Sequence, residues 1–211
     1  MQEKKSGSKT LLWSVIMSSP GPLVVGLGLL TGSSSTQIAD FVRRSAELLA
    51  IIMSFVVYSL LAKGGISSSV DKQKLVSRSN MFVGAMMCIA GTIMVVLTLT
   101  MNQDDKGNVI PGLAIAGLGV IANSIFWGKY TRLNQANPDA ILAVQARLYR
   151  AKTLVDMSVT IALLSVLITP RSSVSHWLDF VGSLVVSVYL VWCGIKTIYE
   201  ERHTRPKRLI E

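Results

Sequence analysis

Apolar residues gather in six long stretches, and polar segments separate them. The stretches cover residues 11–31, 36–62, 80–101, 110–127, 140–169 and 176–198. A run of about 20 apolar residues has the length of a helix that crosses a bilayer. The pattern therefore predicts an all-α membrane protein. Its six-helix transmembrane domain spans residues 11–199, between an N-terminal segment at 1–10 and a short basic tail at 200–211.

The composition supports a membrane protein rather than a soluble one. The 211 residues are 50% hydrophobic and 16% charged, whereas soluble domains carry about 25% charged residues. The mean hydropathy is +0.49. The net charge of +9 could indicate nucleic-acid binding, but no basic face interleaved with aromatic residues appears. We therefore expect the lipid bilayer, and not nucleic acid, to be the partner of this chain.

The basic residues are distributed unevenly between the connecting segments. The N-terminus, the connectors at 63–79 and 129–139 and the tail are basic, and six spans place all four on one side. The opposite connectors contain a Gly-Ser turn, the pair Asp104–Asp105, and a turn from Arg171 to His176. The positive-inside rule then predicts that both termini are cytoplasmic. We expect an integral protein of the plasma (inner) membrane, with no cleaved signal peptide.

Several residues inside the spans allow both a structural and a functional interpretation. Pro20-Gly21-Pro22 predicts a kink in the first span, which either lines a cavity or serves packing. Cys88 and Cys193 lie in apolar runs, where packing is favoured over a disulfide. Small residues suit the fourth span to close helix packing. Four methionines of the third span favour core filling over a soft-metal site: Met81, Met86, Met87 and Met94.

Four charges inside the second and fifth spans are the main candidates for chemistry. They form two i,i+4 pairs, Arg43 with Glu47 and Lys152 with Asp156. Charges at this depth are costly, and they usually face a bundle interior or a water-filled path. Counted from the outer ends of the helices, the two pairs lie within about 5 Å of the same depth. Interhelical pairing of Arg43 with Asp156 and of Glu47 with Lys152 is therefore predicted. Pairing within each helix is the alternative.

Secondary candidates surround this group. Asp40 and Arg44 lie on the second helix, where Asp40 could line a vestibule or contact Arg44. Asp179 opens the sixth span. His176 and His203 have no second ligand at useful spacing, so surface positions are expected for both. The sequence predicts no metal site, no cofactor and no catalytic residue, and no enzyme activity is expected.

At these residues the chain resembles the cation diffusion facilitator family, proton-driven exporters of zinc and related divalent metals. The shared features are the six-helix layout, Gly32-Ser33 leading to Ala39-Asp40, Arg147 upstream of the fifth-helix motif, and Trp177-Leu178-Asp179. In that family the second and fifth helices each carry a His/Asp-x-x-x-Asp motif, and together these form a metal site. The corresponding positions here read Arg43-x-x-x-Glu47 and Lys152-x-x-x-Asp156.

This departure from the family pattern leaves two functions open. Arginine and lysine are poor metal donors, so the resemblance implies a transporter of altered specificity, coupled to protons. Its substrate would be a small ion or polar solute. The alternative is a non-transporting structural or regulatory protein, stabilised by interhelical salt bridges. The resemblance and the small-residue faces also predict a homodimer.

Overall fold

The bundle is built from helices alone in the part of the chain that the computed structural model describes, residues 2–31, 35–63, 68–100, 109–168 and 173–204. The helices are α1 (Gln2–Ser18), α2 (Pro20–Thr31), α3 (Ser35–Ala62), α4 (Ser69–Thr100), α5 (Val109–Ala136), α6 (Ala140–Ile168) and α7 (Ser173–Thr204). The all-α class is thereby confirmed. Within the described residues, four helical segments are long and apolar enough to cross a membrane: Phe41–Ala62, Ser69–Thr100, Leu113–Ala136 and Phe180–His203.

The first predicted span consists of the end of α1 and all of α2, with a break at Ser19. Pro20 has no N–H to donate to the carbonyl of Ile16, four residues earlier. The Ser19 hydroxyl donates to that carbonyl instead, at 2.9 Å. The Arg44 guanidinium of α3 lies beside Gly21, where an added Cβ would be 3.5 Å from its Nη1. The kink predicted from the two prolines is therefore present, and it faces the charged stretch of α3.

Two helices extend well beyond the predicted membrane spans. Residues 69–79 and 129–136, which the sequence assigned to connectors, are helical. Ser68 caps α4, because its Oγ accepts from the Asp71 amide at 3.4 Å. This is a Ser-x-x-Asp arrangement related to the capping box. Polar composition identified the end of the apolar run correctly but did not identify the end of the helix.

The N-terminal cap of α6 can be tested by a single substitution. Asp139 Oδ1 accepts from the amides of Ile141 at 2.9 Å and Leu142 at 3.3 Å. Asp139→Ala is expected to lower the unfolding free energy by about 1 kcal/mol. Thermal unfolding in detergent measures the loss, and Lys74→Ala, on an exposed side chain, is the control. Equal midpoints for the two variants would show that the cap does not stabilise α6.

Contacts between helix ends show which ends of the helices lie together. Ser8 Oγ of α1 lies 3.2 Å from Ser59 Oγ near the end of α3. Asn80 of α4 donates to Glu201 near the end of α7 at 2.7 Å and to the Ala140 carbonyl at the start of α6 at 3.4 Å. The start of α1, the end of α3 and the connectors that carry the basic residues therefore share one end of the bundle. We call it the basic end.

Glycines bring α4 and α7 together. A Cβ added to Gly194 would lie 2.6 Å from the Gly84 carbonyl oxygen and 2.6 Å from Cys88 Sγ. Cys88 and Cys193 are both free thiols in this helix pair. Met87 and Met94 lie in the buried core, which confirms core filling for these two methionines. The α4–α7 pair and the α5–α6 pair are the most extensive helix contacts, α3 packs mainly against α4, and α6 also packs against α7.

Candidate functional site

The four charged candidates of α3 and α6 converge inside the bundle. Their i,i+4 spacing places Arg43 and Glu47 one turn apart on one face of α3, and Lys152 and Asp156 one turn apart on one face of α6. The side chains of Arg43, Glu47 and Lys152 are 11%, 8% and 12% exposed. Asp156 is half-buried. Two cations and two carboxylates thus form one compact site with a formal charge of zero, which we call the charged site.

Glu47 is the centre of the charged site because cations contact both of its oxygens. Its Oε1 lies 3.2 Å from Arg43 Nη1, and its Oε2 lies 3.5 Å from Lys152 Nζ. The predicted interhelical pair of Glu47 and Lys152 is confirmed. The predicted pair of Arg43 and Asp156 is wrong: no ion pair between them occurs among the described side chains, and Arg43 pairs within α3. Both expected modes, interhelical and intrahelical, therefore coexist on one carboxylate.

A residue of α5 occupies the place predicted for Arg43 beside Asp156. Asn123 Nδ2 donates to Asp156 Oδ2 at 2.6 Å, and Asn123 is 8% exposed. Gly119, one turn away on α5, leaves room for the carboxylate, since an added Cβ would lie 2.5 Å from Oδ2. The sequence analysis missed Asn123. An amide inside an apolar helix, four residues after a glycine, was the signal that could have found it.

The charges of the site act on one another across the helices. Lys152, Glu47 and Arg43 all interact electrostatically with Asp156. Lys152 Nζ also lies 5.2 Å from the centre of the Tyr149 ring, within cation–π range. The ammonium is therefore held between Glu47 and an aromatic face. It lies on the same helix face as Asp156 without forming an ion pair with it within the described region.

The secondary candidates and the histidines are only partly described. The side chains of Asp40, Asp179 and His176 lie outside the described residues. Arg44 packs toward Gly21 at the α1–α2 break. His203 stacks on Tyr199 with a centroid distance of 3.9 Å at an exposed position. Among the residues that the structure describes, no group of three or more His, Cys, Asp or Glu side chains could hold a metal ion.

An aromatic and polar layer separates the charged site from the basic end. Tyr149 packs against Phe126 and Tyr130 at centroid distances of 5.2 and 5.4 Å. Tyr130 Oη donates to Ser14 Oγ at 2.7 Å, and Tyr149 Oη lies 3.2 Å from Ser18 Oγ. The two tyrosines are fully buried. These buried side chains therefore lie between the charged site and the basic end.

Comparison with known families agrees with an all-α membrane fold. The family model described as the cation efflux transmembrane domain matches residues 14–203. The match includes all four residues of the charged site and extends from α1 to the end of α7. No curated protein matches the chain.

Proposed function

Because the chain belongs to the cation efflux family, we propose that it is a membrane transporter whose specificity differs from that of a zinc exporter. The proposed transport site is the charged site of Arg43, Glu47, Lys152 and Asp156. The carrying observation is that cations of the chain contact both oxygens of Glu47, at 3.2 and 3.5 Å. The negative charge of Glu47 is therefore already compensated by positive side chains of the protein itself.

The chemistry of the site supports altered specificity. A zinc site takes neutral imidazole, thiolate or carboxylate donors. The guanidinium of Arg43 and the ammonium of Lys152 have donor N–H groups and no lone pair for a metal. Both groups contact Glu47 and neutralise its charge. A divalent ion placed there would meet two fixed positive charges.

Coupling and orientation are part of the same proposal. The basic end contains the N-terminus and the basic connectors, so the positive-inside rule assigns it to the cytoplasm of a plasma (inner) membrane. The buried aromatic layer between the site and that end supports an outward-facing or occluded state. Protonation of a site carboxylate would weaken the cluster and allow the helices to rearrange. We propose proton-coupled transport by a homodimer, with no enzymatic activity.

Asp156→Asn provides the test of transport. In proteoliposomes with an imposed pH gradient, we expect the wild-type protein to transport a cation. The flux of the variant should be lower by a factor of roughly ten or more. The amide keeps the shape of the side chain but removes its charge. Interactions of a charged carboxylate are stronger than those of a neutral amide, so binding of a cation should weaken. Asp71→Asn, at an exposed position in the first turn of α4, is the matched control. Equal fluxes for both variants would contradict the proposal.

A non-transporting structural or regulatory role is the second candidate. The same contacts favour it, because Arg43 and Lys152 both hold Glu47 in place and Lys152 joins α6 to α3. In that case no divalent metal, alkali cation or organic cation would show flux. The fold would also survive replacement of Arg43, Glu47 and Lys152 together by apolar residues of similar volume, because well-packed apolar side chains can replace a buried charge cluster without loss of stability.

A further inference from the structure

Basic and aromatic side chains alternate along the outer surface where α6 meets α7, in the half of the bundle nearer the basic end. Arg150 Nε donates to Tyr189 Oη at 2.7 Å, and the Tyr189 ring lies 6.1 Å from the Trp192 ring, centre to centre. Lys196 Nζ lies 5.1 Å from the centre of the Trp192 ring. We call these four residues the cation–aromatic face.

The cation–aromatic face is open to the surroundings of the bundle. Trp192 is 52% exposed, and the side chains of Arg150 and Lys196 are also exposed. Further apolar side chains of α7 point outward beside it: Val185, Val188 and Ile195. An outward apolar surface on a membrane helix contacts acyl chains, so the two cations lie at the border between protein and lipid.

The positive charge of this face is only partly compensated by carboxylates. Arg150 has no ion-pair partner among the described side chains, and its hydrogen-bond partner Tyr189 is neutral. Lys196 lies 3.9 Å from Glu200, but Glu200 also accepts from Arg147 at 2.9 Å. Arg147, Arg150, Lys196 and Glu200 therefore sum to two positive charges.

The next carboxylate on α7 does not supply the missing charge. Glu201 accepts a hydrogen bond from Asn80 at 2.7 Å, so it is directed toward α4. A cation on the lipid side of a span is costly unless an anion compensates it or its side chain reaches the polar boundary. The cation–aromatic face therefore favours a negatively charged partner.

The depth of the face matches the boundary of one leaflet. The apolar run of α7 ends at Ile198. Along the helix, Lys196 lies about 3 Å inside that end, Trp192 about 9 Å and Tyr189 about 14 Å. Tryptophan and tyrosine are enriched at this level of a bilayer, and long basic side chains extend from it toward the headgroups. A lipid phosphate can thus meet the cations while its acyl chains lie on the apolar surface of α7.

We propose that the cation–aromatic face binds the headgroup of an anionic phospholipid, with Arg150 and Lys196 contacting its phosphate and Trp192 packing beside it. Basic pockets between membrane helices bind such headgroups. Charge disfavours a second copy here, because an isologous contact would bring two positive faces together. The inference concerns the lipid around the chain and does not depend on transport.

Quenching of tryptophan fluorescence by brominated lipids tests the inference on the purified full chain. The protein is placed in phosphatidylcholine bilayers that contain a rising fraction of either brominated phosphatidylglycerol or brominated phosphatidylcholine. Trp192 is one of four tryptophans, and Trp192→Phe identifies its share of the quenching. We expect phosphatidylglycerol to bind beside Trp192 with an affinity higher by roughly fivefold or more, the effect of one basic side chain near an anionic leaflet.

Paired variants assign the preference to this face. Arg150→Gln combined with Lys196→Gln should abolish it, whereas Arg150→Lys combined with Lys196→Arg should retain it, because both charges remain. Lys72→Gln combined with Lys74→Gln is the matched control. It removes the same charge from exposed positions of α4, and the preference should remain.

Four results would overturn the inference. They are equal affinities of the two lipids in the wild type, an equal loss of preference in both glutamine pairs, and quenching that Trp192→Phe leaves unchanged. The second would reflect surface potential alone, and the third would mean that another copy covers α7. The fourth is a rise of the thermal midpoint with sodium phosphate in phosphatidylcholine that equals the rise with phosphatidylglycerol, since a soluble anion would then be the ligand. A lipid preference without any flux in proteoliposomes would support this inference and contradict only the transport proposal.

Discussion

Glu47→Ala is expected to cause the largest loss of stability of any single substitution in the charged site. It leaves Arg43 and Lys152 without the carboxylate that both contact, at positions 11% and 12% exposed. Breaking a buried ion pair by removing one partner costs about 3–5 kcal/mol. Unfolding in detergent with increasing denaturant measures this loss of free energy.

Glu200→Ala is the matched control for Glu47→Ala. Glu200 also contacts two cations, Arg147 at 2.9 Å and Lys196 at 3.9 Å, but its side chain is 46% exposed. Exposed pairs contribute about 0–1 kcal/mol, so the expected change is small. If Glu47→Ala proves no more destabilising than Glu200→Ala, the contacts of Glu47 with Arg43 and Lys152 do not stabilise the bundle.

Gly194→Ala is expected to cause the second large loss of stability, through packing rather than charge. The new methyl group would lie 2.6 Å from the Gly84 carbonyl oxygen and 2.9 Å from the Cys88 backbone nitrogen. Backbone atoms of α4 cannot rotate away, so the helices must separate. Overpacking of this kind costs typically about 1–3 kcal/mol. The same unfolding measurement detects it as a lower midpoint.

Gly117 and Gly128 of α5 supply the controls for this substitution. A Cβ at either position would meet nothing within 4 Å. Alanine has the better helix propensity, by about 1 kcal/mol, so Gly117→Ala and Gly128→Ala should be neutral or stabilising. A midpoint for Gly194→Ala that matches these two variants would show that α4 and α7 do not approach as closely as described.

The two effects concern different parts of the proposed transport cycle. Close packing through Gly84 and Gly194 makes α4 and α7 a unit, whereas Glu47 and Lys152 join α3 to α6 by charge. A charge contact can be broken by a bound cation, and a glycine contact cannot. Movement during transport is therefore expected at the charged site, with α4 and α7 remaining together.

The sequence by itself determined the class of the fold and the members of the charged site. Long apolar runs have few solutions in a bilayer other than helices, because every backbone group must be bonded internally. Charges inside such runs are rare enough to identify the site. Counting depth along two antiparallel helices was sufficient to predict the contact of Glu47 with Lys152.

Only the tertiary structure decided which neighbour each charge has. Depth alone could not distinguish Asp156 from Glu47 as the partner of Arg43, because both lie within reach of a long guanidinium side chain. Nor could it show that α5 contributes Asn123, since membrane helices pack through small residues without an amphipathic pattern that marks the facing side. Hydrophobicity along the chain records which segments lie in lipid, while the orientation of helices around one another determines which polar groups meet.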